Sequence, residues 1–262
     1  MNTLTRLLSA ALIPLTLLGC ESPALAEDGP AAANTTAVTP EVDTLLDKIE
    51  AAAADLKTLK ADLRYDRVQG LLGDEQRRFG EFRYDAGPPA KFDARFDKLL
   101  VDGAARKIDL RYTFDGVWLA ERDGEDKTFT RRQMVEADDK GKPMKLGESP
   151  FVLPLDAKKA DILARFAVEL IEPSPEDPEN TLHVTLIPLP GVRMDQTRID
   201  IWYDTESLLP RRVATIDESQ NTSIIDLMKV QTNRDLPDKN FDTSAPRGGG
   251  WDVQVVPLEE GE

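Results

Sequence analysis

Two hydrophobic periods divide the chain. Val42, Leu45, Leu46, Ile49, Ala53, Leu56 and Leu59 recur at three- and four-residue steps, with Asp43, Asp47, Lys48, Glu50, Asp55 and Lys57 between them. That spacing predicts an amphipathic helix of about five turns over residues 42–59. Thr39-Pro40 supplies its N-cap and a proline at the first helical position. From Leu63 the period falls to two. Phe92, Ala94 and Phe96 alternate with Asp93, Arg95 and Asp97, while Ile108, Leu110, Tyr112 and Phe114 alternate with Lys107, Asp109, Arg111 and Thr113. Asp102-Gly103, Asp115-Gly116 and Asp123-Gly124 are hairpin signals between such runs. Residues 63–135 therefore read as an antiparallel meander with one apolar and one wet face, and Asp93, Asp109 and Arg111 are expected to be exposed.

Residues 136–149 are charged and broken by Gly and Pro, and read as a loop. Residues 156–166 (DAKKADILARF) resemble a second, shorter helix, and 173–180 a Pro- and acid-rich loop. A second meander follows at 182–187, 197–203, 211–216 and 222–230, punctuated by Pro188, Pro190 and Pro210. Ile199 and Ile201 belong to its apolar face. After the glycines at 248–250, Trp251, Val253 and Val255 alternate like a short final strand.

The first residues do not belong to this pattern. Arg6 precedes an apolar run over residues 7–18, interrupted by Ser9, Pro14 and Thr16. The run is too short to span a bilayer as a permanent helix but fits the h-region of an export signal. Two processing sites compete. Leu17-Leu18-Gly19-Cys20 resembles a bacterial lipobox, in which Cys20 would be the lipidated first residue; Ala24-Leu25-Ala26 has the small-x-small pattern of ordinary cleavage before Glu27. The expected organisation is a signal peptide over 1–20 (or to 26), a flexible Ala/Pro/Thr linker over 21–38, one domain over 39–256 and an acidic tail over 257–262.

Composition narrows the chemistry. A net charge of −15 excludes a nucleic-acid partner, which needs a basic face to displace counterions. It also opposes adsorption to anionic lipid by charge, leaving a lipid anchor or apolar surface for any membrane contact. One Cys allows neither an intramolecular disulfide nor a thiolate cluster, and the one His, His183, sits in an alternating strand run. No Gly-rich phosphate loop, nucleophile elbow or EF-hand spacing is present, so the sequence calls for no catalytic group, cofactor or metal.

The element order and several local motifs resemble the outer-membrane lipoprotein carrier family (LolA-like, with the membrane-anchored receptor LolB). Phe79-Gly80-Glu81-Phe82-Arg83-Tyr84 with Pro88-Pro89-Ala90-Lys91-Phe92 is similar to the family's early strand pair. Leu100-Val101-Asp102-Gly103 and Phe114-Asp115-Gly116-Val117-Trp118-Leu119 are similar to its Asp-Gly hairpins. Ile201-Trp202-Tyr203-Asp204 through Leu208-Leu209-Pro210-Arg211, and Phe241 through Pro246, are similar to its closing segments. The likeness covers residues 40–256.

The resemblance implies a mainly β (α+β) fold: an incomplete, strongly curved antiparallel β-barrel with helices over its concave face. It implies an apolar cavity walled by Phe92, Phe96, Ile108, Leu110, Tyr112, Phe114, Ile199 and Ile201, under a lid helix carrying Leu45, Leu46, Ile49 and Leu56. The implied partners are the acyl chains of lipoproteins or lipids, with inner-membrane release and outer-membrane receptor machinery. The family tethers its lid through an Arg just before the early proline. Here Ala86-Gly87 stand there, so either Arg83, the nearest Arg, substitutes as the latch or the latch is missing. A filled core and a fillable cavity remain open alternatives. The mature chain is expected to start at Cys20 or Glu27. Intact-mass spectrometry of the processed protein checks this, and a product retaining residues 1–19 would exclude both sites.

Overall fold

The structure, a computed structural model, describes residues 38–70, 73–136 and 151–258. The leader with Cys20, the linker to residue 37, most of the 136–149 loop and the end of the acidic tail lie outside the described residues.

Helix α1 (Pro40–Asp55) begins as expected. The Thr39 hydroxyl accepts the Val42 N–H at 3.3 Å, and Glu41 and Asp43 complement the N-terminal end of the helix dipole. It ends a turn earlier than its hydrophobic period suggests. Leu56 is the extended cap residue, and Asn233 takes over the backbone: its Oδ1 accepts the N–H groups of Lys57 at 2.8 Å and Thr58 at 3.4 Å. Leu59, fully buried, belongs to the first strand instead. The second helix, α2 (Lys159–Leu163), is also shorter than expected, because Phe166 already starts a strand.

Among the described residues, twelve strands form one open sheet. The first six are β1 (Thr58–Val68), β2 (Glu75–Asp85), β3 (Lys91–Val101), β4 (Ala104–Phe114), β5 (Trp118–Asp123) and β6 (Thr128–Gln133). The remainder are β7 (Phe166–Ile171), β8 (Thr181–Pro188), β9 (Gln196–Asp204), β10 (Pro210–Asp217), β11 (Thr222–Thr232) and β12 (Asp252–Val256). Their order, β12-β6-β5-β4-β3-β2-β1-β11-β10-β9-β8-β7, shows two meanders stitched together where β1 pairs with β11. The expected incomplete barrel is borne out: the sheet does not close, and β7 and β12 are its ends. The pairings are antiparallel except that of β12 with β6, which is parallel. This last pairing departs from the expectation of a wholly antiparallel sheet.

Bulges bend the long strands of the first meander, at Phe79/Gly80 against β3 and between Phe96 and Lys98 against β4. Gly80 is required there, because a Cβ at that position would lie 1.6 Å from the Arg95 carbonyl oxygen.

Among the described residues, the outer face holds four buried aspartates, Asp66, Asp93, Asp200 and Asp226. Each is met by a basic side chain. Arg77 Nε reaches Asp66 at 2.8 Å, Arg212 Nε reaches Asp226 at 2.7 Å, and Arg198 Nε reaches Asp200 at 2.8 Å. Asp93, expected on the wet surface, is 0% exposed. Arg83 donates to it at 2.7 Å, Thr113 at 3.1 Å, and Arg111 donates as well. Arg111 then donates to the Asn240 carbonyl, which lies in a 3-10 turn (Asp238–Phe241) laid over this part of the sheet. Thus Arg111 is half-buried rather than exposed, while Asp109 is exposed and pairs with Arg122. Asp93→Ala should strand two guanidinium groups beneath that turn and destabilise the fold by about 3 kcal/mol. Urea denaturation of the two proteins measures the difference, and a loss well under ~1 kcal/mol contradicts this account.

Candidate functional site

Strand alternation sends one side chain in two to the inner face, but the apolar residues there form two clusters rather than one wall. The first gathers around β1–β5. Leu59 and Leu63 from β1, Phe82 and Tyr84 from β2, and Phe92 and Phe96 from β3 meet Phe114 and Leu119, with Ile225 and Leu227 from β11. The second lies on β7–β10, where Val184, Leu186, Ile199, Ile201, Tyr203 and Val213 pack with Phe166 and Ile162.

Helix α1 covers the second cluster. Val42, Leu45, Leu46 and Ile49 are buried in it, and Leu46 and Ile49 are each only 2% exposed. The sequence reading set this helix over wall residues from both meanders, whereas its buried side chains pack with those of the second. Of the eight wall residues read from the sequence, Ile199 and Ile201 lie in the cluster beneath α1. Phe92, Phe96, Ile108, Leu110, Tyr112 and Phe114 belong to the other. Leu56, as the cap rather than a helix residue, also packs with the first cluster.

Over the first meander lies a short apolar stretch, residues 151–155, from which Phe151 and Leu155 are buried in the first cluster and Val152 in the second. The Phe151 ring lies 5.2 Å from that of Tyr112, 5.9 Å from Tyr65, 6.0 Å from Phe96 and 6.2 Å from Phe92, centroid to centroid. Around this point Tyr65, Ile108, Leu110, Tyr112, Met134 and Val230 are only partly buried. Sequence reasoning missed Phe151, because it stands beside the charged loop and outside any period.

Arg83 does not serve as a latch on α1. It alternates with Phe82 and Tyr84, so it lies on the outer face, where it binds Asp93 and Glu81. The polar hold on α1 comes from α2. Lys159 Nζ contacts Asp43 and Asp47, each at 2.7 Å, and the Lys159 N–H donates to Glu50 Oε2 at 3.1 Å. Asp43, Asp47 and Glu50 lie on one helix face at three- and four-residue steps, but nothing in their spacing names the lysine more than a hundred residues away.

Electrostatics reinforce the apolar character of the wall. Burial raises the Tyr84 hydroxyl above its ordinary value, with the Asp156 carboxylate adding to the effect. Burial likewise raises Tyr112, helped by Glu121, whose carboxylate accepts its hydroxyl at 3.1 Å. Neither presents a phenolate to the wall at neutral pH. Asp156, just after the covering stretch, is raised by burial and by nearby Asp161, against its own backbone N–H and Lys158.

On the outer face, His183 is held rather than free. Its ring stacks on Trp202 at 4.2 Å, and its Nε2 lies 3.1 Å from Asp200. Burial opposes ionisation of Asp200, but Arg198, Thr185 and His183 outweigh it and lower the carboxyl below its ordinary value. Among the described residues no group of three or more His, Cys, Asp and Glu side chains could hold a metal ion. Among them, too, no helix is long and apolar enough to cross a membrane.

No protein-family model matches the sequence, and no curated protein matches it. Solved structures of similar fold include an uncharacterized conserved protein from Thermus thermophilus, at 11% identity and TM-score 0.46, over 83% of this chain and 99% of that one. The Mycobacterium tuberculosis lipoprotein LppX is similar at 13% identity and TM-score 0.40, over 74% and 98%. A LolA superfamily protein from Nitrosomonas europaea is similar at 12% identity and TM-score 0.31, over 76% and 96%.

The state of Asp156 gives a pH prediction. A carboxyl raised in the folded state penalises folding when ionised; the penalty is complete above the raised value and fades as pH falls below it. Asp156→Asn should raise the denaturation midpoint at neutral pH, with the gain shrinking on acidification. Equal midpoints at neutral pH would contradict the burial of that carboxylate.

Proposed function

We propose that this chain is an exported lipid-binding protein whose concave face shields the acyl chains of lipoproteins or lipids in the periplasm, as a carrier toward the outer membrane does. One observation carries the reading. Among the described residues, α1 covers the cluster on β7–β10, while the aromatic cluster on β1–β5 lies under the stretch at 151–155 and keeps several apolar side chains only partly buried. A packed core has no use for Ile108, Leu110 and Tyr112 half-buried on the inside of a curved sheet. An acyl chain laid along them gains about 0.8 kcal/mol for each methylene removed from water. The acidic net charge of −15 fits this use, since it keeps the protein off anionic membrane surfaces that it must visit only transiently.

A second reading is a membrane-tethered envelope lipoprotein with a receptor or structural role. The α1-covered half favours it, because those side chains fill the space between helix and sheet in the manner of an ordinary core. Processing at Cys20 would anchor the chain, whereas processing before Glu27 would leave it soluble, as a shuttle requires.

Titration with dansyl-undecanoic acid tests the acyl-binding reading. The full chain should show saturable fluorescence enhancement that a palmitoylated lipopeptide reverses. Leu110→Asp, which places a carboxylate on a partly buried wall position, should weaken binding at least tenfold while leaving the circular dichroism spectrum unchanged. An absence of saturable binding by the wild type sinks the carrier reading and leaves the tethered one.

A further inference from the structure

We infer that one end of the acyl-binding wall is an anion seat, so that its ligand is an amphiphile whose head is acidic, a carboxylate or a phosphate held by Arg67 and Arg78. The inference rests on the acyl-binding reading and deepens it by naming the class of ligand.

Strand register places the two arginines. On β1 the wall-facing residues Leu59, Ala61, Leu63 and Tyr65 lead by alternation to Arg67. In the pairing with β2, Tyr65 stands opposite Arg78, and Arg67 opposite Gln76. Opposed residues of an antiparallel pair share a face, so Arg67 and Arg78 are diagonal neighbours on the concave side, close enough for long side chains to meet. The Arg78 guanidinium lies 6.0 Å from the Tyr65 ring centroid and donates to Gln76 Oε1 at 3.0 Å. From Arg78 the same face continues across Leu99 on β3 to Ile108 and Leu110 on β4, where an acyl chain finds half-buried apolar side chains.

The charge balance here is the reverse of that on the outer face, where an arginine meets each buried aspartate. Among the described residues neither Arg67 nor Arg78 forms an ion pair, although Arg78 is half-buried. Acids in the surroundings are engaged elsewhere. Glu121 accepts the Tyr112 hydroxyl at 3.1 Å, and Glu125 pairs with Arg106 at 2.7 Å. Asn221 chiefly holds Asp217 below its ordinary value, and Arg67 adds to this without pairing. Two like charges on adjacent strands repel, and a half-buried guanidinium without a counter-ion carries an uncompensated desolvation cost. A bound anion relieves both.

Hydroxyls add to the seat. Ser223 on β11 stands opposite Arg67, and its Oγ lies 3.2 Å from the Tyr65 hydroxyl. Whichever of the two donates, the proton of the other is left for a ligand. A few polar groups gathered beside an apolar surface fix the orientation of what binds there. Carboxylate and phosphate both accept from guanidinium groups, whereas an acyl chain with an uncharged head offers them no charge to pair with.

Displacement of the neutral fluorophore N-phenyl-1-naphthylamine from the full chain tests the inference. Dodecanoate, dodecyl phosphate and dodecanol share one alkyl chain and differ in their heads. The double variant Arg67→Gln/Arg78→Gln should lose about tenfold in affinity for the two anions relative to dodecanol. Arg67→Lys/Arg78→Lys, which keeps both charges, should recover most of that loss. A loss confined to dodecanoate identifies a fatty-acid head, and one confined to dodecyl phosphate a phospholipid head; either supports the seat. In the wild type, which needs no substitution to fold, added salt should weaken the binding of the anions relative to dodecanol. Unchanged affinity ratios in the Gln variant, or anion binding by the wild type that salt leaves unweakened relative to dodecanol, overturn the inference and leave the acyl-binding reading standing. If none of the three ligands displaces the fluorophore from the wild type, the acyl-binding reading fails and the inference fails with it.

Discussion

A long sheet that does not close must cover one apolar face or lose it to water, and the architecture here follows from that constraint. Strands in register give a face of aromatic and branched side chains many residues wide, far larger than the apolar patches soluble proteins leave exposed. A closed barrel would turn the face inward on itself. This sheet stops short, and among the described residues the task falls to α1, α2 and the stretch at 151–155. The pairing of β1 with β11 is the hinge of the arrangement. It joins the first strand of one meander to the last of the other, so that residues far apart in sequence, such as Leu63 and Leu227, share one wall.

The division of labour between the covers gives the wall its two characters. Beneath α1, Ile199 and Ile201 are 0% exposed, and the space is filled by four helix side chains. Beneath Phe151 the neighbours are aromatic, Phe92 and Phe96 buried and Tyr65 and Tyr112 partly so. Aromatic rings offer large apolar area with few rotamers to lose and accept partners edge-on or face-on.

Much of this was legible in the sequence, and the gaps have physical causes. Period-two alternation located β3, β4, β8, β9, β10 and β11 because each has one dry and one wet face. It missed β7, whose six residues Phe166–Ile171 are too short to separate from the end of a helix. It ran α1 through to Leu59 because leucines at 56 and 59 keep the helical spacing. The turn between them is set by Asn233, which no local pattern reveals. Alternation groups the wall residues on one face of each strand, but which cover lies over each depends on where helix and strand meet in space. Arg83 was read as a latch by position, whereas alternation with Phe82 and Tyr84 alone would have put it on the outer face. Asp93 alternates like a surface residue, but Arg83, Arg111 and Thr113 close over it, with the 3-10 turn at Asp238–Phe241 bonded to Arg111 beyond them.

The outer-face aspartates have a consequence for how reliably this sheet assembles. Long strands with similar alternation can pair one residue out of step, and the result is nearly as well hydrogen-bonded as the correct one. Here such a slip in β1, β3, β9 or β11 would turn Asp66, Asp93, Asp200 or Asp226 into the apolar wall, away from the arginine that neutralises it. The mispaired sheet would thus bury bare carboxylates among phenylalanines. In a twelve-strand sheet with two free edges, those four acids act as alignment marks, making the errors in pairing costlier than the correct pairing is favourable.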